Sequence, residues 1–301
     1  MTTEPITLVV PFAGGTGYLH ETLSSALRLE GADWQLIVSD NTRDPAAAAE
    51  AQALVASFGD PRLTWRAFGT HVVICASFNR AMDCAQTDLV ALLHADDRIK
   101  PNYLTTIRAL ARHYPDAAAY YCGARIIDAA GEAVFSFVDY VKRFIVSHGA
   151  GPAVLAGEGG VAALARADFI MAPTVCFRRS RLAGERWPED LYQAADLEYF
   201  TRILFGGGTI VGTHEPAYEY RRHPAQNTAQ VNKTLFRFRE EAAVYDLIAQ
   251  RAAARGWSHA ARIARLKIVT RLHLLYEAAG DTLHLRWRSA ANKIGFAATL
   301  R

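Results

Sequence analysis

Four short apolar runs in the first hundred residues, separated by helix-like stretches, restrict the fold of this chain more than any other feature. Residues 6–10 are rich in β-branched side chains and stop at Pro11, and residues 34–40 end in an acid, Asp40. Residues 63–67 form a third run, and residues 89–93 pass straight into His94, Ala95, Asp96 and Asp97. Between them, residues 18–29 place Leu19, Leu23, Ala26 and Leu27 at helical spacing. Residues 46–58 are Ala-rich, and residues 77–85 are helix-like. An uninterrupted apolar run suits a strand covered on both faces, and its alternation with helices predicts an α/β fold with a mainly parallel central sheet. Ligands of such sheets bind outside the carboxyl ends of the strands, where Asp40 and the Asp96–Asp97 pair fall.

The pattern continues with a helix over 101–113 closed by Pro115, a strand over 118–127 and a turn at 128–131. Residues 147–167, rich in Gly and Ala, are expected to form a loop or a helix over the site. A strand at 174–178, a helix over 194–205 stopped by Gly206, Gly207 and Gly208, and a strand at 209–213 follow. Helices are expected over 235–255 and about 259–279, with breaks at Gly256 and Gly280.

Hydrophobic residues at 51% and charged residues at 21% belong to a globular chain, which excludes a disordered one. No window reaches the ~18 uninterrupted apolar residues of a membrane span. The first residues lack the basic start of a secretory signal, and Cys75, Cys84, Cys122 and Cys176 lack C-x-x-C spacing. A cytoplasmic protein with reduced core cysteines is the expectation. The net charge of +3 conceals an asymmetry: residues 235–301 hold 12 Lys/Arg against 5 Asp/Glu, leaving 21 against 25 in the rest. A basic, amphipathic tail on a slightly acidic body is suited either to an anionic membrane surface or to a solvated helical face.

Each candidate site residue has two readings on sequence alone. Asp96 and Asp97 are costly to place together unless a divalent cation with a phosphate ligand offsets them, or else one of them caps the helix near Pro101. Asp40 either meets a base or ribose, or shapes an Asx-turn. Asp196 opens a helix, so it caps that helix or projects into a cleft to take a proton, with Glu198 as its competitor. His223 is either a structural histidine or, with its protonation disfavoured by the flanking Arg221 and Arg222, a metal ligand, and a pyrophosphate nearby would be met by those two arginines. The Gly14–Gly17 turn lacks either phosphate-loop spacing. No G-x-S-x-G or H-E-x-x-H occurs, which leaves serine hydrolase and zinc peptidase chemistry without support.

Residues 6–27, 37–44, 77–81, 92–97, 177–180, 195–196 and 220–223 occur in the order found in the inverting family 2 glycosyltransferases, which the chain resembles over about residues 5–230. The resemblance implies the GT-A nucleotide-diphospho-sugar transferase fold in a catalytic domain 1–230, with a helical extension 231–301. It implies Asp40, Pro11, Phe12, Asn79, Asp96 and Arg222 as nucleotide or donor contacts, and Asp97 and His223 as ligands of a divalent cation, Mn2+ or Mg2+. It implies Asp196 as the catalytic base. His94 stands where many members carry the first acid of the D-x-D-type element, and Ala195 stands where they carry Glu.

The implied donor is a nucleotide-diphospho-sugar, a UDP- or dTDP-sugar by preference, and the acceptor a glycan or lipid-linked hydroxyl in bacterial surface-polysaccharide assembly. An anionic membrane contact through 235–301, at the inner face of the cell membrane, and a homodimer are further partners to test; no nucleic acid is expected. A sugar nucleotidyltransferase and a non-catalytic carbohydrate- or lipid-binding protein are the competing classes. The first needs a basic Gly-rich loop, and residues 13–17 contain no Lys or Arg.

Overall fold

The computed structural model describes residues 3–135, 151–224 and 235–300. β1 (Ile6–Phe12) leads through α1 (Leu19–Leu27) to β2 (Trp34–Asp40), and α2 (Pro45–Ser57) leads to β3 (Leu63–Arg66). α3 (Ile74–Cys84) precedes β4 (Leu89–Leu92), and the short β5 (Arg98–Ile99) precedes α4 (Tyr103–His113) and β6 (Ala119–Ile127). β7 (Ala153–Leu155), α5 (Gly157–Arg166), β8 (Val175–Arg178), α6 (Ala195–Phe205) and β9 (Ile210–Arg221) follow. The chain ends in α7 (Phe236–Ala254), α8 (Ser258–Leu266), α9 (Ile268–Leu283) and α10 (Trp287–Thr299).

The sheet order is β3-β2-β1-β4-β8-β6-β9-β5, with β7 also paired to β9. The first four strands of that order are parallel, and β8 is antiparallel to both its neighbours. Side chains alternate across it. Leu8, Val10, Phe12, Leu89 and Ala91 enter one core cluster with α1 and α4, while Val9, Ile37, Val90 and Leu92 enter the other with α3, α5 and α6. Both faces are therefore covered, as the apolar runs required. Asp44 caps α2 by accepting from the Ala46 N–H, with Pro45 as its first residue.

Chain order reverses between β1 and β4, and such a switch point opens a crevice at the carboxyl edge of a sheet. Phe12 lies level with Asp40 across β1 and β2, and the Leu93 N–H donates to the Val9 carbonyl at 2.9 Å. The loop after β4 is thus delivered to the same edge as Asp40. β9 packs against β6 along its length, and Gly212 sits under the Tyr121 ring, where an added Cβ would fall 1.9 Å from a ring carbon. No side chain fits there.

Several boundaries differ from expectation. Residues 153–166 form a packed strand and helix: Val161, Ala162 and Leu164 lie in the core. Residues 147–150, and the expected domain boundary at 230/231, lie outside the described residues. The helix expected over 259–279 is two helices, divided at Lys267 and not at Gly280, which lies within α9. Lys267 takes left-handed backbone (φ 47°) and is buried, its ammonium 2.6 Å from Asp246. That pairing holds a bend that periodicity does not show. α7 and α8 join the main core through Val244, Ile248, Ala261 and Ala264. Among the described residues no helix is long and apolar enough to cross a membrane.

Candidate active site at the carboxyl edge of the sheet

The loop after β4 is held by α1 and by the end of β9. The Thr22 hydroxyl on α1 lies 2.9 and 2.7 Å from the carbonyl oxygens of Ala95 and Asp97. Arg221, at the end of β9 and 1% exposed, donates from its side chain to the Asp96 carbonyl at 2.7 Å. It also donates to the carbonyls of Asp128 and Ala129 and to Glu21. A buried guanidinium so fully engaged fastens the loop, the 128–131 turn and α1 together. It is therefore a fastener of the edge, whereas the sequence had offered it to a pyrophosphate.

The two adjacent acids have different surroundings. Asp97 is 0% exposed; its Oδ2 accepts from the Tyr218 hydroxyl at 2.9 Å and its Oδ1 from the Arg221 backbone N–H at 2.7 Å. Burial first, and the neighbouring Asp96 charge second, hold its pKa well above the usual carboxylate range. Asp96 is partly exposed, and its Oδ2 lies 3.1 Å from Nε2 of His223. Neither acid caps α4, whose first turn has no side-chain cap. His94 stacks on Phe78, and burial lowers its pKa, favouring the neutral ring.

Ligand atoms of His94, Asp96 and Asp97 all lie within 4.8 Å of one another. Carboxylate oxygens and one neutral imidazole at this spacing fit Mn2+ or Mg2+, the oxygens suiting either ion and the imidazole Mn2+ better. Sequence reasoning missed Tyr18, whose ring lies beneath the Arg221 guanidinium (4.5 Å) and beside the His223 ring (4.9 Å). It orients the histidine toward Asp96.

The remaining candidates are distributed as follows. Asp40 ends β2, and its Oδ1 accepts from the Thr42 N–H at 2.8 Å, an Asx-turn at the crevice edge. The Phe12 side chain is fully buried and packs on Trp65, so at the edge Pro11 and Phe12 offer their main chain. Asn79 is buried, and its amide nitrogen donates to the Trp187 carbonyl and to Glu189, while its Oδ1 accepts from the Trp187 N–H. It clasps the segment leading to α6. Arg222 is exposed beside His223, and its backbone N–H donates to the Ile127 carbonyl.

Asp196 is the second residue of α6, and its Oδ1 accepts from the Leu197 N–H at 2.9 Å. The segment before it is fixed from afar: Glu240 on α7 accepts from the backbone N–H groups of Tyr192, Gln193 and Ala194. A carboxylate there satisfies helix-start donors and complements the helix dipole. Glu198 is a different kind of residue. It is 4% exposed and bound by Arg202 and by Arg251 on α7, at 3.0 and 2.8 Å. A carboxylate so paired is committed to holding α6 against α7, which sets it apart from Asp196 as a candidate. Glu198→Gln is expected to cost about 1–3 kcal/mol by weakening the charge-assisted hydrogen bonds to two partly exposed arginines, of which Arg202 keeps Glu185 as a partner. Chemical denaturation measures that loss, while turnover per folded molecule stays near that of the parent; a large fall in turnover would return Glu198 to the candidates.

A family model described as Glycosyl transferase family 2 matches residues 7–150. Among solved structures, Staphylococcus aureus TarS 1–349 in complex with UDP-GlcNAc superposes with a TM-score of 0.64 at 13% identity, covering 97% of this chain and 80% of that one. The mannosyltransferase PcManGT from Pyrobaculum calidifontis, in complex with GDP-Man and Mn2+, has a TM-score of 0.60 at 16% identity, covering 99% and 86%. The Mycobacterium tuberculosis (strain CDC 1551 / Oshkosh) protein described as "Uncharacterized protein MT1568" is 24% identical over 226 residues, 73% of this chain and 67% of its own length.

Proposed function

We propose that this chain, which matches the family 2 glycosyltransferase model over residues 7–150 and shares the fold of solved glycosyltransferases, moves a sugar from a nucleotide-diphospho-sugar to a hydroxyl of a glycan or lipid-linked acceptor, with inversion at the anomeric carbon. The observation that carries this reading is the grouping of His94, Asp96 and the buried Asp97 at the strand switch point, with His223 3.1 Å from Asp96. The solved relatives that hold UDP-GlcNAc, or GDP-Man with Mn2+, support a nucleotide-sugar donor and a divalent cation. A UDP- or dTDP-sugar is our preferred donor. Surface-polysaccharide assembly at the inner face of the cell membrane is the setting we infer.

Asp96 and His223 are the proposed ligands of the cation, with His94 at hand; the geometry favours Asp96 over Asp97 because Asp97 already serves β9. Bound there, the cation supplies Lewis-acid stabilisation of charge on the departing nucleotide diphosphate. Asp40, with the main chain of Pro11 and Phe12, borders the base and ribose. Arg222 offers its exposed guanidinium to the phosphates. Asp196 accepts the proton of the acceptor hydroxyl as its oxygen attacks the anomeric carbon on the side opposite the leaving group. Asn79 and Glu240 act on Asp196 only through the segment 187–194 that they hold.

Thermal unfolding with a panel of nucleotide sugars, in Mn2+ and in EDTA, tests the donor assignment. A donor present at 100 times its Kd adds ~2.7 kcal/mol, enough to raise the melting temperature by several degrees. A UDP- or dTDP-sugar is expected to do so in Mn2+ and much less in EDTA. Stabilisation by none of the panel would sink the reading.

A further inference from the structure

α9 and α10 form an antiparallel pair whose inner side is accounted for. Leu274 on α9 and Ala297 on α10 pack with Leu300 against Phe238 and Ala242 of α7. The outer side is apolar too. Leu272, Leu275, Tyr276 and Leu283 recur at one helical face of α9, and Trp287 and Ile294 at one face of α10. Leu283 is 83% exposed and Trp287 is 60% exposed. Leu285 in the connection takes left-handed backbone (φ 59°), an uncommon state for a bulky side chain, while its side chain stays exposed.

The charges around this stripe are one-sided. The acids of the two helices, Glu277 and Asp281, lie against Lys293 at 3.4 and 2.8 Å. Arg286 and Arg288 are exposed at the connection, Arg286 also lying 3.5 Å from Asp281. A contiguous apolar stripe rimmed by arginines is the composition of a helix that lies in the plane of an anionic bilayer. A twofold contact with a second copy would set this same patch, Arg286 and Arg288 included, against itself.

We propose that the outer face of α9 and α10 lies on an anionic lipid surface, with the stripe at the headgroup boundary and the arginines on lipid phosphates. The position of this face deepens the reading of the acceptor, and that part rests on the glycosyl-transfer assignment. Phe238, Glu240 and Ala242 are two residues apart along α7, within ~6 Å of helix. Phe238 and Ala242 hold the α9–α10 pair, and Glu240 holds the start of the helix that carries Asp196. One helix thus links the pair that bears the lipid face to the start of the helix with the proposed base, an arrangement that suits an acceptor saccharide anchored in that surface.

Flotation of the full chain with vesicles of phosphatidylglycerol and phosphatidylcholine, and of phosphatidylcholine alone, tests this. Binding to the anionic vesicles, weakened by salt, is expected, with little binding to the neutral ones. Leu283→Glu with Trp287→Glu, and separately Arg286→Glu with Arg288→Glu, are each expected to lower binding by about tenfold or more. These side chains are exposed, so the folded core is kept; quenching of tryptophan fluorescence by brominated lipid, lost in Trp287→Phe, reports the same contact without a charge change. Failure of the parent chain to float, equal flotation of the variants, or a sedimenting dimer that the Leu283→Glu/Trp287→Glu pair disperses would each overturn the proposal. Metal-dependent hydrolysis of a nucleotide sugar in solution, measured on the same proteins, reports the donor site independently. Its loss with flotation intact would count against the transferase reading and the anchored acceptor, and leave the lipid face standing.

Discussion

Asp196→Asn is expected to lower sugar transfer by about 10²–10⁴-fold, the usual contribution of a general base, and to leave donor binding unchanged. Asn keeps an oxygen that can accept from the Leu197 N–H, as Asp196 Oδ1 does at 2.9 Å, so the helix start is conserved while the proton acceptor is removed. Of the two acids in the first turn of α6, Glu198 is committed to Arg202 and Arg251, which concentrates the expectation on one residue. The Asp196 charge reaches the surroundings: burial, and then that charge, push the Cys75 thiol up to about 12, which leaves it protonated and without a nucleophilic role at neutral pH. Transfer rates and donor titration by calorimetry on the same variant provide the check. Parallel loss of both would mean that Asp196 only supports the fold of the donor site.

The proposed site also rests on residues the sequence does not advertise. The strands β1, β2 and β4 and the switch-point edge are legible, because uninterrupted apolar runs need cover on both faces and the polar residues gather where they stop. Asp40, Asp96 and Asp196 announce themselves by ending a run or opening a helix. Glu240 does not. It lies 46 residues after Ala194 and binds backbone N–H groups, which leave no mark in composition or periodicity. Tyr18 and Arg221 meet only because β9 ends beside α1, a long-range contact across 203 residues of sequence. Arg221 looked like a phosphate ligand by charge alone, and its burial is what makes it structural. Likewise the bend at Lys267 depends on Asp246, 21 residues away, and Gly280, a breaker by propensity, continues its helix because nothing tertiary ends it there.

The difference between the adjacent acids gives the second large effect. Asp96→Ala is expected to weaken Mn2+-dependent nucleotide binding by more than about 100-fold, beyond the ~10–100-fold typical of an outer-shell partner. It removes the carboxylate facing His223 and touches little of the core, since the loop is held through the Asp96 backbone carbonyl. Asp97→Asn should behave oppositely. The raised pKa of Asp97 means that its contribution to folding is complete below the unfolded value near 3.8 and is lost as pH rises through the folded value. At pH 7 in EDTA, a neutral isostere is therefore expected to match or exceed the parent in thermal stability, the amide oxygen of the new side chain still accepting from the Arg221 N–H. Its Mn2+-dependent nucleotide binding should fall at most as an outer-shell change does. Calorimetry of nucleotide binding in Mn2+ and in EDTA, on both variants, measures the contrast. Should Asp97→Asn abolish the metal dependence while Asp96→Ala retains it, the cation belongs on the buried acid, and the Tyr218 and Arg221 contacts are there to orient a ligand.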